Sequence, residues 1–254
     1  AGRLHLPKLG WVRLRLSRPV TGDLRNVTVT REGDRWYASI QVEQAGVAPA
    51  GLAPTLGIDL GLTSFAATSD GTLIAPLGAL KVQLVRLRRY QRAVSRKVKG
   101  SCNRRKAVRR LGALHRRIAR QRNDWLHQLS MQLASEHPVI AIEDLRVANM
   151  SASAAGPGRK AKAGRNRGIL DASWAEFRRQ LEYKLTALGG EVIAVNPAYT
   201  SQQCHECGHI AAENRTSQSV FACVACGHTE NADINAAKNI LARGVAAHQQ
   251  RALA

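Results

Sequence analysis

Residues 199–242 read YTSQQCHECGHIAAENRTSQSVFACVACGHTENADINAAKNILA, and the rest of the chain is organised around this stretch. Cys204 pairs with Cys207 and Cys223 with Cys226, with 15 residues between the two pairs. That spacing fits a four-thiolate zinc ribbon. Zinc takes thiolates at about 2.3 Å in a tetrahedron, and two tight knuckles each deliver two sulfurs pointing the same way. Gly208 and Gly227 directly follow Cys207 and Cys226, where a knuckle needs a permissive backbone. Two disulfides are the alternative, opposed by the lack of anything upstream that looks like a secretory signal. Asp233 follows Cys226 by seven residues, at the mouth of a helix reading NADINAAKNILARG. A metal-stapled ribbon that delivers a carboxylate to a fixed place suggests a site as well as a staple.

The 254 residues carry 38 Lys and Arg against 18 Asp and Glu, a formal net charge of +20, with 44% hydrophobic residues. The chain is therefore globular, and a phosphate-rich partner explains the one-sided charge. An anionic membrane is the second explanation, weakened because no span approaches the ~18 apolar residues of a crossing helix. No acid occurs between Asp70 and Asp124. Leu111, Leu114, Ile118, Trp125, Leu129 and Leu133 keep helical spacing there, which predicts two long helices broken near Gly100-Ser101. Their basic face, with Arg104, Arg105, Arg109, Arg110, Arg116 and Arg117, is expected to bind nucleic acid. Aromatics are sparse there, so contacts to the phosphate backbone are expected over base stacking. Cys102 stands alone among basic residues and is assigned no chemistry. Reduced, metal-bound cysteines imply a cytoplasmic protein, and nucleic-acid binding implies association with the nucleoid.

The remaining elements follow from patterning. WVRLRLSR alternates, with Val12, Leu14 and Leu16 on one face. NVTVTREGDRWYASIQVE predicts a hairpin turned at Glu32-Gly33-Asp34, with Trp36, Ala38, Ile40 and Val42 sharing a face. GVAPAGLAPT reads as a linker. Leu56 to Leu60 is a short apolar strand carrying Asp59, expensive there unless paired or metal-bound; an edge-strand or turn aspartate is the weaker alternative. Phe65 to Thr68 and Thr72 to Ala75 form two more strands around Ser69-Asp70-Gly71. Val139 to Glu143 is a fourth, ending in an acid. Ser151 to Gly168 reads as a mobile, basic, glycine-rich loop. A helix follows, opened by a Ser173/Glu176 capping box, with Trp174, Phe177, Leu181, Leu185 and Leu188 inward. Glu191 to Asn196 is a fifth strand. The last helix turns Ile234, Ala237, Leu241 and Val245 inward. Strands, helices, strand, helix, strand, ribbon and helix in this order form an α/β, RNase H-like arrangement. Its acids fall on strand one (Asp59), the end of strand four (Glu143) and the last helix (Asp233). Spacing alone does not bring them together. If they converge, hard oxygen ligands of this kind bind Mg2+, and two such ions support in-line phosphodiester hydrolysis.

GIDLG around Asp59, AIEDL around Glu143, and CxxCG...CxxCG...NADINAAKNI around Asp233 resemble the three RuvC motifs and zinc ribbon of the transposon-encoded TnpB proteins. LPKLGWVRLRL and YTSQQCHECGH resemble that family too. The resemblance implies an RNA-guided nuclease related to type V CRISPR effectors, taking a guide RNA from the transposon end to cut double-stranded target DNA beside a short adjacent motif. It implies Asp59, Glu143 and Asp233 as catalytic acids holding two Mg2+ ions, and Cys204, Cys207, Cys223 and Cys226 as ligands of one structural zinc. The implied division is 1–50, the C-terminal part of a wedge-like β-barrel; 51–198, the first part of the RuvC-like domain; 199–230, the zinc ribbon; and 231–254, the last RuvC helix. The family's N-terminal helical recognition region and first barrel strands precede the point where this sequence starts, so an N-terminally truncated form is expected. A nucleic-acid-binding regulator that does not cut, and a zinc-ribbon RNA-binding protein with structural carboxylates, are the alternatives.

Overall fold

The computed structural model describes every residue except 1, 18, 34, 44, 48–50, 154–157 and 253–254. Parts of the expected Glu32-Gly33-Asp34 turn, linker and loop lie outside the described residues. Two antiparallel hairpins come first: β1 (Gly2–Leu6) with β2 (Gly10–Leu14), and β3 (Asp23–Glu32) with β4 (Arg35–Glu43). The register pairs Glu32 with Arg35, and Gly33 after β3 has φ 63°. The β3–β4 hairpin alternates as expected through Ala38, Ile40 and Val42, but β2 does not and ends at Leu14, and Trp36, Val12 and Leu16 are exposed, because two strands alone have no second layer to cover them.

The central sheet has five strands: β5 (Leu56–Leu60), β6 (Ala66–Thr68), β7 (Leu73–Ile74), β8 (Val139–Glu143) and β9 (Glu191–Val195). Their spatial order is β7-β6-β5-β8-β9, with β5–β6–β7 antiparallel and β5–β8–β9 parallel. This is the RNase H-like topology expected from element order. Helix α1 (Ala79–Ser95) and helix α2 (Cys102–Glu136) fill the crossover from β7 to β8. Ser101 starts α2 by accepting a hydrogen bond from the Arg104 N–H at 3.1 Å.

Both faces of the parallel strands are covered, which is why they read as continuous apolar runs. Leu56, Ile58, Ile140 and Ile142 face a core with Leu126 of α2 and Phe177, Leu181 and Leu185 of helix α5 (Trp174–Ala187). Val139, Ala141, Ile193 and Val195 face the other way, against Ile240 of helix α6 (Ala232–Ala252). The α6 backbone lies very close to β5. A Cβ on Gly57 would stand 2.2 Å from the Ala237 carbonyl oxygen and 2.7 Å from the Leu241 nitrogen, so only glycine fits.

Four expectations are corrected. Residues 159–168 are not a loop: with a short α3 (Val147–Met150) before it, α4 runs Arg159–Ala172. Its Arg, Lys and Ala residues favour helix, and Gly168 serves a close approach to Leu62 rather than mobility. Ser173 makes no capping box. It sits at φ 55°, ψ 45° between α4 and α5, its hydroxyl donates to the Leu170 carbonyl, and Glu176 binds Arg179 and Gln180 instead. Leu188 is 52% exposed, lying beyond the end of α5. On α6 the buried face is Ala236, Ala237, Ile240 and Gly244, with Ile234, Leu241 and Val245 only partly covered.

Candidate nuclease site and zinc ribbon

Strand alternation places the acids. Gly57 faces α6, so Asp59, two residues on, faces it too; Val139 and Ala141 face α6, so Glu143 does as well. The parallel register pairs Gly57 with Ala141 and Ile58 with Ile142, and its next step sets Asp59 beside Glu143. Asp233 is the second residue of α6, over the same sheet face. It does not cap its helix: Asn231 Oδ1 does, accepting from the Asp233 and Ile234 N–H groups at 2.9 and 3.2 Å.

The electrostatics follow from this convergence. Burial pushes the Asp59 carboxyl up to about 8, reinforced by the charges of Glu143 and Asp233 and opposed by Arg215 and the Leu60 N–H. Glu143 is 7% exposed; burial raises it, while the Thr200 hydroxyl donating to Oε1 at 2.8 Å and the Arg243 charge pull it down. Burial raises Asp233, opposed by Arg215, whose guanidinium lies 3.3 Å from Oδ1. The charges of Glu143 and Asp233 thus both act on Asp59, with one guanidinium, Arg215, at the two aspartates and a second, Arg243, near Glu143; the three carboxylates do not close to within 4.8 Å of one another as the cysteine sulfurs do. Arg215, Thr200 and Arg243 have no sequence signature of their own. The spacing of Asn235, Asn239 and Arg243 along one α6 face offered a clue: they bind the carbonyls of Asn196, Ala198, Thr200 and Gln203, stitching the end of β9 to α6.

The ribbon is built on two matching knuckles. The Gly208 N–H donates to the Cys204 carbonyl at 2.9 Å and the Gly227 N–H to the Cys223 carbonyl at 3.0 Å, with φ 75° and 76° at the glycines. A short hairpin, β10 (Val220–Ala222) with β11 (Thr229–Asn231), joins the second knuckle to α6. All four cysteines are free thiols. Their sulfurs lie within 4.8 Å of one another, with Cys204 to Cys226 at 3.8 Å and Cys207 to Cys223 at 3.6 Å. Tetrahedral zinc at about 2.3 Å sets sulfurs roughly 3.8 Å apart, so the cluster fits a structural zinc site and not a pair of disulfides. The Cys226 N–H aimed at its sulfur holds the Cys223 thiol down to about 6, while burial raises the Cys204 thiol and neighbouring sulfurs push Cys226 up to about 12.

The candidate nucleic-acid residues lie on the first half of α2. Arg105, Arg109, Arg110 and Arg117 are exposed; Arg104 and Arg116 are partly buried. The Arg116 guanidinium packs over Gly33, and Arg120 binds Glu32 and Tyr37, so the β3–β4 hairpin docks on this helix. A groove of about 470 Å³ between them is lined by Gly33, Arg104, Arg105, Arg109 and Arg116. Among the described residues no helix is long and apolar enough to cross a membrane.

Two family models match the chain: "Probable transposase" (IS605 OrfB) over residues 39–154, and "Cas12f1-like, TNB domain" over 174–240. An Escherichia coli (strain K12) protein named "Putative RNA-guided DNA endonuclease InsQ" is 51% identical over 95% of this chain and 62% of its own length. A Streptomyces pristinaespiralis protein with the same name, without the InsQ designation, is 37% identical over 97% of this chain and 60% of its own length. The chain thus spans about 60% of the length of these relatives. A solved Cas12f1–sgRNA–target DNA complex superposes with a TM-score of 0.51 at 22% identity, covering 84% of this chain and 55% of that one. That likeness speaks to the fold.

Proposed function

The chain belongs to the TnpB/IS605 transposase family, and from that premise we propose that it forms the nuclease half of an RNA-guided, metal-dependent DNA endonuclease of transposon origin. Residues 1–50 form the end of a wedge-like barrel, 51–198 with 231–254 the RuvC-like nuclease, and 199–230 its zinc ribbon. Guide RNA and target DNA are the partners, and the chain acts at the nucleoid. The observation that carries this reading is the placement of the acids: Asp59 and Glu143 on adjacent parallel strands facing α6 and Asp233 in the first turn of that helix, near enough that the charges of the other two add to burial in raising Asp59. A site that unfavourable for bare carboxylates is one that a cation relieves.

Asp59, Glu143 and Asp233 are the residues that would hold the catalytic Mg2+, and their all-oxygen donor set suits a hard ion. When bound, a pair of such ions supplies an activated water and a stabilised leaving 3′ oxygen. The chain's own groups do the remaining work. Thr200 fixes the rotamer of Glu143. The ribbon and the Asn231 cap fix the start of α6, and with it Asp233. Arg215 sets a positive charge where a phosphate would lie beside the acids. The arginines of α2 hold nucleic-acid backbone without reading sequence.

The test uses the chain with RNA from the transposon end and a matched target DNA. Asp59→Asn, Glu143→Gln and Asp233→Asn should each abolish cleavage, with RNA binding changed less than about twofold. Variants that cut at the parent rate would remove the acids from the mechanism. A folded parent chain that binds RNA and DNA but never cuts would favour a regulator.

A further inference from the structure

Beside the four sulfurs, the ribbon holds a second group of metal-ligating atoms. His205, within the first knuckle, His228, just past the second, and Glu230 on β11 bring one donor atom each within 4.8 Å of the others. His205 Nδ1 is 3.5 Å and His228 Nε2 3.7 Å from Glu230 Oε2. Both His228 Nε2 and Glu230 Oε2 are shut off from solvent and lack a hydrogen-bond partner. Orphaned polar atoms of this kind are costly and rare.

The neighbours show what is missing. His205 Nε2 lies 3.0 Å from the Glu206 carboxylate, an acceptor for the ring proton in the tautomer that leaves Nδ1 with a lone pair. Nδ1 in turn faces Asn235 Oδ1 at 3.1 Å. The Asn235 orientation is fixed, because its Nδ2 donates to the Gln203 carbonyl at 2.8 Å and its Oδ1 accepts the His205 N–H at 3.1 Å. Lys238 occupies the other Glu230 oxygen, Oε1, at 2.5 Å. Two imidazole nitrogens, a carboxylate oxygen and an amide oxygen therefore converge, and a metal ion would satisfy the two orphaned atoms among them together.

We propose that this chain binds a second zinc ion through His205 Nδ1, His228 Nε2 and Glu230 Oε2, with Asn235 Oδ1 or a water in the fourth position. Tetrahedral zinc at about 2.0–2.2 Å from N and O ligands sets them roughly 3.3–3.6 Å apart, close to the 3.5 and 3.7 Å that separate the two imidazole nitrogens from Glu230 Oε2. The Glu206 carboxylate behind His205 is the outer partner that a metal-bound histidine characteristically has. Such an ion would tie the first knuckle, β11 and the first turn of α6 into one rigid block. The site shares no ligand with the cysteine cluster or the three acids, and its existence does not depend on the nuclease reading. The competing occupant is a second proton on His205, which would leave His228 Nε2 orphaned.

The test counts zinc per folded chain by elemental analysis after dialysis against zinc-free buffer. Two equivalents are expected for the parent chain and one each for His228→Gln and Glu230→Gln. Cobalt–thiolate absorption after cobalt exchange should be retained in both variants, showing the cysteine site intact. One equivalent in the folded parent, or two in both variants, overturns the proposal. Should a variant lose both ions by unfolding, anomalous diffraction from parent crystals at the zinc edge decides: a second peak between His228 Nε2 and Glu230 Oε2 supports the site, and its absence refutes it.

Discussion

Replacing Asp59 with Asn should make the magnesium-free protein less sensitive to rising pH, by an amount the structure sets. Asp59 rises from an ordinary 3.8 to about 8 on folding, through burial first and then Glu143 and Asp233. The folded state therefore takes up a proton that the unfolded state releases. The destabilisation is absent below the unfolded value, grows as pH rises from about 4 to about 8, and levels off above that. One pKa unit corresponds to about 1.4 kcal/mol, so between pH 5 and pH 8 the wild type loses roughly 3–4 kcal/mol that Asp59→Asn does not. Urea unfolding of both zinc-loaded proteins at pH 5, 6, 7 and 8 in magnesium-free buffer measures it. Groups that do not touch Asp59, the thiols included, cancel in the difference; Glu143 and Asp233, which interact with it, contribute to it. Added Mg2+ should flatten the wild-type profile. Parallel profiles, with a difference constant to about 0.5 kcal/mol, would show that Asp59 does not face the other two acids as described.

Gly57→Ala places a methyl group against the α6 backbone, which neither strand nor helix can yield, and should cost about 3 kcal/mol or more in denaturant unfolding; a loss under 1 kcal/mol would mean α6 is free to shift. Arg215→Ala removes the one guanidinium opposing the charge of both aspartates, so titration of Asp59 and Asp233, followed by NMR, should move upward, and unmoved values would reject the contact. Replacing Arg104, Arg105, Arg109 and Arg110 with Ala should lower the slope of log K against log salt by about 0.9 per lost duplex-phosphate contact, equally across sequences; an unchanged slope would place the nucleic acid elsewhere. Cys223→Ser should abolish zinc at the sulfur cluster and the protease resistance of residues 199–231, and a ribbon that stays resistant would show that metal does not hold it.

The sheet was legible because its strands are buried on both faces and interrupted by a single acid each at Asp59 and Glu143, a break too costly to be incidental. The ribbon was legible because four sulfurs on two knuckles leave little geometric choice. What escaped were relations between segments. Arg215 lies among ordinary polar residues, and nothing in its neighbourhood says that it reaches Asp233. Ser173 and Glu176 satisfy a capping-box pattern, yet α4 runs straight into that position and occupies the backbone before the serine can turn. The stretch 159–168 has the glycine content of a loop, but its helix-forming side chains prevail once Gly168 can press against Leu62.

The position of Asp233 has a consequence for when the chain becomes competent during synthesis. Asp59 and Glu143 lie on neighbouring strands that are complete well before α6 has been made. The third acid is translated 90 residues after Glu143. At about 5–20 residues per second that gap lasts roughly 5–20 s. Throughout it the nascent chain already displays the arginines of α1 and α2, which on the proposed function would gather nucleic acid. It lacks the third carboxylate and the helix that closes over Asp59. On the proposed function, the chain would thus acquire its grip before its blade.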